Sequence, residues 1–113
     1  MLPEKQIENK IRRFLDYQGA YHIKHFGCAF TKAGVPDLLI CLNGLFIGIE
    51  VKSEKGKLSE LQEKHLQQIK DAGGISLMAR SVDEVIYYLT SLGIELKPPK
   101  VRKKNAKCTS RSR

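Results

Sequence analysis

The chain has 113 residues, 42% of them hydrophobic and 28% charged, a length and balance that fit one compact domain with a single core. No apolar run approaches the ~20 residues of a bilayer-spanning helix, and the opening Met1-Leu2-Pro3-Glu4-Lys5 lacks the apolar centre of a secretory signal. Cys28, Cys41 and Cys108 are widely spaced, odd in number and form no C-x-x-C pair, so a disulfide framework and a cysteine zinc site are set aside in favour of a reducing, cytoplasmic setting.

Residues 3 to 18 read as an amphipathic helix, with Pro3 suited to the first turn and Ile7, Ile11, Phe14 and Leu15 recurring at helical spacing. Glu4 and Glu8 fall at the border of that stripe, where either can reach inward. Gly19 ends the helix, and the weak alternation of residues 20 to 26 predicts a strand. His22 and His25 would then face opposite ways, which argues against a shared metal. Residues 27 to 34 are loop-like, and Lys32 there could meet a phosphate near Asp37.

The centre of the chain is the most informative stretch. Gly34-Val35-Pro36-Asp37 leads into an apolar run, an Asn43-Gly44 pair, a second apolar run and then Glu50-Val51-Lys52. Asn-Gly between two such runs predicts a type I′ hairpin, because both central residues need positive φ. A two-residue turn at 43 and 44 sets Asp37 directly opposite Glu50, with Lys52 on the same face as Glu50. The other face, Leu38, Ile40, Leu42, Leu45, Ile47, Ile49 and Val51, is wholly apolar and predicts core.

Two carboxylates placed opposite each other repel unless something holds them together. A hard divalent cation such as Mg2+ meets that need, being held by one or two carboxylates, waters and substrate phosphates. Lys52 could then orient or deprotonate an attacking water, or stabilise charge developing on phosphorus. Taken singly, Pro-Asp is also a common turn pair and Glu-x-Lys a common solvated strand pattern. The register joins them into a phosphodiesterase-like set.

A helix is predicted over about 59 to 72, burying Leu58, Leu61, Leu66 and Ile69, with Gln62 and His65 in the same stripe. Two readings of Gln62 stand side by side: the third position of a capping box with Ser59 as N-cap, or a group pointing into the acidic edge to bind water or a phosphate oxygen. Gly73-Gly74 ends this helix, and residues 75 to 79 form a short strand. Ser81-Val82-Asp83-Glu84 then reads as a capping box opening a last helix through Leu92, striped with Val85, Ile86, Leu89 and Leu92. The order is αβββαβα. Residues 97 to 113 carry eight lysines and arginines and no acid, so the whole net charge of +8 lies there. We therefore expect a domain over 1–93 and a basic, unfolded tail over 94–113. Such a tail is either a nonspecific nucleic-acid arm or a solubilising terminus.

This order, with Pro36-Asp37 spaced from Glu50-Val51-Lys52, resembles the PD-(D/E)XK nuclease superfamily. Small size, Glu8 in the first helix, the Gly-Val-Pro-Asp start and Gln62 narrow the resemblance to the VRR-NUC family, over residues of about 4 to 92. The resemblance implies a restriction-endonuclease-like α/β core, a mixed central sheet flanked by helices. It makes Asp37 and Glu50 the metal-binding acids, with the Val51 main-chain carbonyl as a further ligand. Glu8 would complete the site directly or through water, Lys52 would be the catalytic lysine, and Gln62 would belong to the catalytic edge.

The implied activity is that of a Mg2+- or Mn2+-dependent deoxyribonuclease, an endonuclease selective for branched DNA such as a Holliday junction or flap, acting as a homodimer in replication or repair. Two alternatives stand beside it. One is a non-catalytic DNA-binding module that uses the basic tail. The other is a restriction-type or resolvase-type endonuclease of the same fold.

Overall fold

The structure, a computed structural model, describes residues 2–26 and 33–98. Its elements are α1 (Glu4–Gln18), β1 (Tyr21–Lys24), β2 (Leu38–Leu42), β3 (Leu45–Val51), α2 (Glu60–Asp71), β4 (Ile75–Ala79) and α3 (Val82–Ser91), in the expected order. Cys28, Lys32 and the tail beyond Pro98 lie outside the described residues. Cys41 is exposed and free.

Asn43 and Gly44 take φ of 52° and 79°, as a type I′ turn requires. The turn closes a hairpin that pairs Leu42 with Leu45, Ile40 with Ile47 and Leu38 with Ile49. One step further along the same register, Asp37 stands opposite Glu50. β1 joins the other side of β2 antiparallel, whereas β4 lies parallel to β3, giving the strand order β1-β2-β3-β4. A parallel neighbour cannot be reached by a tight turn. α2 is the crossover that reaches it.

The apolar face of the hairpin is core, as predicted. Leu38, Ile40, Leu42, Ile47, Ile49 and Val51 pack with Ile7, Ile11 and Leu15 from α1 and with Val85 and Leu89 from α3. Burial of each such side chain stabilises the fold by about 1.5–3 kcal/mol. Leu45, beside the turn, is 38% exposed and marks the edge of this core.

α2 lies on the opposite face and sits shallower than its sequence stripe suggested. Leu66 is its buried residue, while Leu61 is 43% exposed. Small groups under the helix explain this. A Cβ at Gly48 would lie 2.7 Å from Ile69 Cδ1 and 3.2 Å from Pro36 Cγ, and the Ser76 hydroxyl donates to the Leu66 carbonyl at 2.6 Å. The helix therefore rests on backbone and short side chains of β3 and β4, and fewer of its own residues need to be buried. Leu61 packs instead against the turn at Gly34, whose φ of +89° and close approach to the Leu61 carbonyl exclude a side chain.

The domain boundary also moves. Gly93, with φ of 84°, turns the chain back after α3, and Ile94 and Leu96 pack against the core. Gln18 donates to the Lys97 carbonyl at 3.1 Å and accepts from its N–H at 2.7 Å. Tyr17 donates to the Pro98 carbonyl at 2.6 Å. Residues 94 to 98 thus belong to the domain, because the last helix alone leaves an apolar flank of α1 that Ile94 and Leu96 fill.

Candidate active site

The hairpin register places Asp37 and Glu50 at the strand ends furthest from the Asn43-Gly44 turn. Asp37, just before β2, is fixed through one oxygen: its Oδ2 accepts the Val51 N–H at 2.9 Å. Glu50 is 3% exposed. Its Oε2 accepts from Gln62 Nε2 at 3.0 Å and faces Lys52 Nζ at 3.6 Å, while its Oε1 is buried with no hydrogen-bond partner among the described residues.

Burial and then the charge of Asp37 push the Glu50 carboxyl up from its ordinary value of 4.5 to about 7, with Lys52 opposing them. The Glu50 carboxyl also lies within hydrogen-bond reach of the Asp37 side chain, so either a shared proton or a cation would join the two acids. The donor set is hard and anionic on that side, but among the described residues no three ligand-type side chains come together as a metal cage, so an ion there would draw the rest of its shell from water and substrate.

Gln62 fills the capping box of α2 and also reaches the acidic edge, where its amide meets Glu50. Gln62 Oε1 accepts from the Ser59 N–H at 2.9 Å and its own N–H reaches Ser59 Oγ at 3.1 Å, completing the capping box of α2. The amide nitrogen at the other end of the side chain holds Glu50. The start of α2 and the acidic edge are therefore joined through one side chain. Gln62→Glu separates the two jobs: the capping box survives, since glutamate accepts equally well at that position, but a new carboxylate meets Glu50. We expect the variant to melt well below the wild type at pH 8 and to approach it near pH 5, where one of the two touching carboxyls stays protonated, measured in EDTA on both proteins.

Of the two glutamates at the border of α1, Glu4 is exposed and Glu8 turns inward, 5% exposed. Its Oε1 accepts from Lys24 Nζ at 2.9 Å, and Arg12 Nη1 lies 3.8 Å from its Oε2. Lys24 also lies 3.6 Å from Asp37 Oδ1. Burial works against this ammonium, yet its hydrogen bond to Glu8 and the charge of Asp37 outweigh that and raise its pKa above the ordinary value.

Sequence reasoning missed Lys24. The available signal was parity, since Lys24 pairs with Leu38 and shares the inward side of β1 with His22, and a lysine turned inward needs an acid. His22 meets Asp16 at 2.6 Å, apart from the acids of the edge.

Arg80, at the end of β4, was also missed. Its Nη1 donates to the carbonyls of Ser53, Glu54 and Gly56 and so fixes the loop that follows Lys52. Lys55 and Lys57 are exposed on that loop. In the α3 cap, Ser81 Oγ accepts from the Glu84 N–H at 3.1 Å, while the Glu84 side chain accepts from Arg80 N–H rather than closing a box on Ser81.

A mixed sheet in the order αβββαβα, with helices on both faces and two acids and a lysine at the end of its central hairpin, is the fold of a nuclease-like α/β domain. The family model described as VRR-NUC domain matches residues 3–83. The chain belongs to the VRR-NUC domain family, a nuclease-type family. Two solved structures share the fold. One, a VRR-NUC domain, is 21% identical with a TM-score of 0.66, covering 77% of this chain and 94% of its own. The other, a VRR-NUC domain protein, is 18% identical with a TM-score of 0.62, covering 80% and 88%. No curated protein sequence matches the chain. Among the described residues no helix is long and apolar enough to cross a membrane.

Proposed function

We propose that this domain is a Mg2+- or Mn2+-dependent DNA endonuclease. The observation that carries the reading is Glu50: a buried carboxylate with one unpartnered oxygen, beside Asp37 and within reach of a lysine. Asp37 and Glu50 would hold the ion, with the Val51 main-chain carbonyl as a third ligand, while Glu8 bounds the site on the α1 side through Lys24. Such an ion polarises the scissile phosphate, lowers the pKa of a bound water and neutralises the leaving oxyanion.

The chain's own groups do the rest. The Lys52 ammonium orients the attacking water and offsets negative charge as the new oxygen–phosphorus bond forms and the bridging bond breaks. Gln62 holds Glu50 Oε2 so that Oε1 stays turned to the site. The loop clamped by Arg80 presents Lys55 and Lys57 to a phosphate backbone, contacts that position without reading sequence.

Branched DNA is the substrate we assign, cut by a homodimer. A domain this small has little surface with which to enclose a duplex, whereas two copies present two sites to a junction or flap. Tyr21, Ile23 and Phe46 are exposed apolar side chains that a second copy would cover. The test is cleavage of labelled linear duplex, flap and four-way-junction DNA in Mg2+, Mn2+ or EDTA. Metal-dependent cutting that favours the branched substrates is expected. Binding that survives EDTA, with no cutting in any metal, would overturn the enzyme and leave a DNA-binding module.

A further inference from the structure

The three acids of the edge are not equally satisfied. Both oxygens of Glu8 face cations, Lys24 at 2.9 Å and Arg12 at 3.8 Å. Asp37 divides its oxygens between the Val51 N–H and Lys24. Glu50 alone of the three keeps a buried oxygen with no partner among the described residues. The cluster thus has a filled half, between Glu8 and Asp37, and an open half, between Asp37 and Glu50.

We propose that Lys24 is a built-in cation that fills the Glu8–Asp37 half, so that the site takes one divalent ion, on the Asp37–Glu50 half, instead of two. This rests on the metal-dependent reading above. In two-ion phosphodiesterases the ions stand about 3.5–4 Å apart and share a carboxylate. Here Asp37 is the carboxylate available for sharing, and the ammonium already lies against its Oδ1 while hydrogen-bonded to Glu8.

A second ion would have to expel that ammonium from a position where two carboxylates hold it. Lys24 closes the edge strand β1 with 18% of its side chain exposed, its ammonium held between the two carboxylates and 5.7 Å from the centre of the Phe26 ring. Glu8 then acts through Lys24, as a positioning residue that keeps the ammonium on Asp37. Like charges repel strongly at such distances where water is sparse. Occupation by ammonium and by ion are therefore alternatives at that position.

The test counts Mn2+ bound to the DNA-free protein by calorimetry and electron paramagnetic resonance, for the wild type, Lys24→Met, Lys24→Gln and Lys24→Arg, with Asp37→Asn as the site control. One ion per chain is expected for the wild type and for Lys24→Arg, and two for Lys24→Met. Lys24→Gln, which keeps a hydrogen-bond donor toward Glu8 without the charge, is also expected to take two, so the outcome does not depend on how well the methionine variant folds. Circular dichroism melts establish folding for each. Two ions in the wild type, or one ion in both neutral variants, overturns the role of Lys24 and leaves the nuclease reading intact. A wild type that binds no Mn2+ overturns the metal-dependent reading and this inference together.

Discussion

Lys52→Ala is expected to slow single-turnover DNA cleavage by about 10²- to 10⁴-fold, the range typical for loss of a charge-stabilising or proton-handling group. The fold should persist, because the Lys52 side chain lies at the strand end outside the apolar core and its ion-pair partner Glu50 keeps the Gln62 hydrogen bond. Ion binding should also persist at alkaline pH, since Asp37 and Glu50 remain. Removal of the ammonium does take away the one charge that draws the Glu50 carboxyl downward, so the variant needs a higher pH to reach the same Mg2+ occupancy.

Asp37→Asn is expected to give the contrasting result: cleavage should fall by a similar factor, but Mg2+ titration should show the ion lost as well. A Lys52→Ala protein that cuts within ten-fold of the wild type at saturating Mg2+ would remove the lysine from the mechanism.

The parts of this site that were legible in the sequence are those governed by local rules. Positive φ at two adjacent residues calls for Asn-Gly, the two-residue turn dictates the register, and the register sets Asp37 against Glu50 without reference to the rest of the molecule. The stripe of α1 singled out Glu4 and Glu8 as border residues. Only packing decided between them, because Lys24 lies under Glu8.

Lys24 itself stayed hidden. Its strand is four residues long with exposed and half-buried positions alternating weakly, and which side faces α1 is fixed only by pairing with β2. α2 was overread for a related reason: periodicity marks a face but not its depth, and Gly48 and Ser76 let the helix rest on backbone. Gln62 shows the opposite case. Capping and contact with the acidic edge are rival explanations of a glutamine at that position only in sequence, because a side chain with an acceptor and a donor at its end reaches both.

Glu50→Gln is expected to abolish cleavage and yet stabilise the ion-free protein at neutral and alkaline pH. The sign follows from linkage. The Glu50 carboxyl titrates at about 7 in the folded chain against an ordinary 4.5, so between those values the folded state keeps a proton that the unfolded state has released. Stability of the wild type in EDTA therefore falls as pH rises through that window and levels off above it.

The loss is on the order of 3 kcal/mol for a shift of this size. Glutamine stays neutral and can still receive the Gln62 N–H through its own oxygen, so the variant escapes the penalty. Melts from pH 4.5 to 8 in EDTA should diverge upward from pH 5, with the variant ahead by a Tm difference on the order of 10 °C at pH 8. Saturating Mg2+ should then close the gap from the wild-type side alone, because the ion supplies the counter-charge that Glu50 lacks and finds one carboxylate fewer in the variant. The same proton opposes the ion, so cleavage by the wild type at limiting Mg2+ should decline as pH falls below 7. Parallel melting curves across the whole range would mean that Glu50 is ionised comfortably in the folded chain, and the case for a cation at its unpartnered oxygen would go with it.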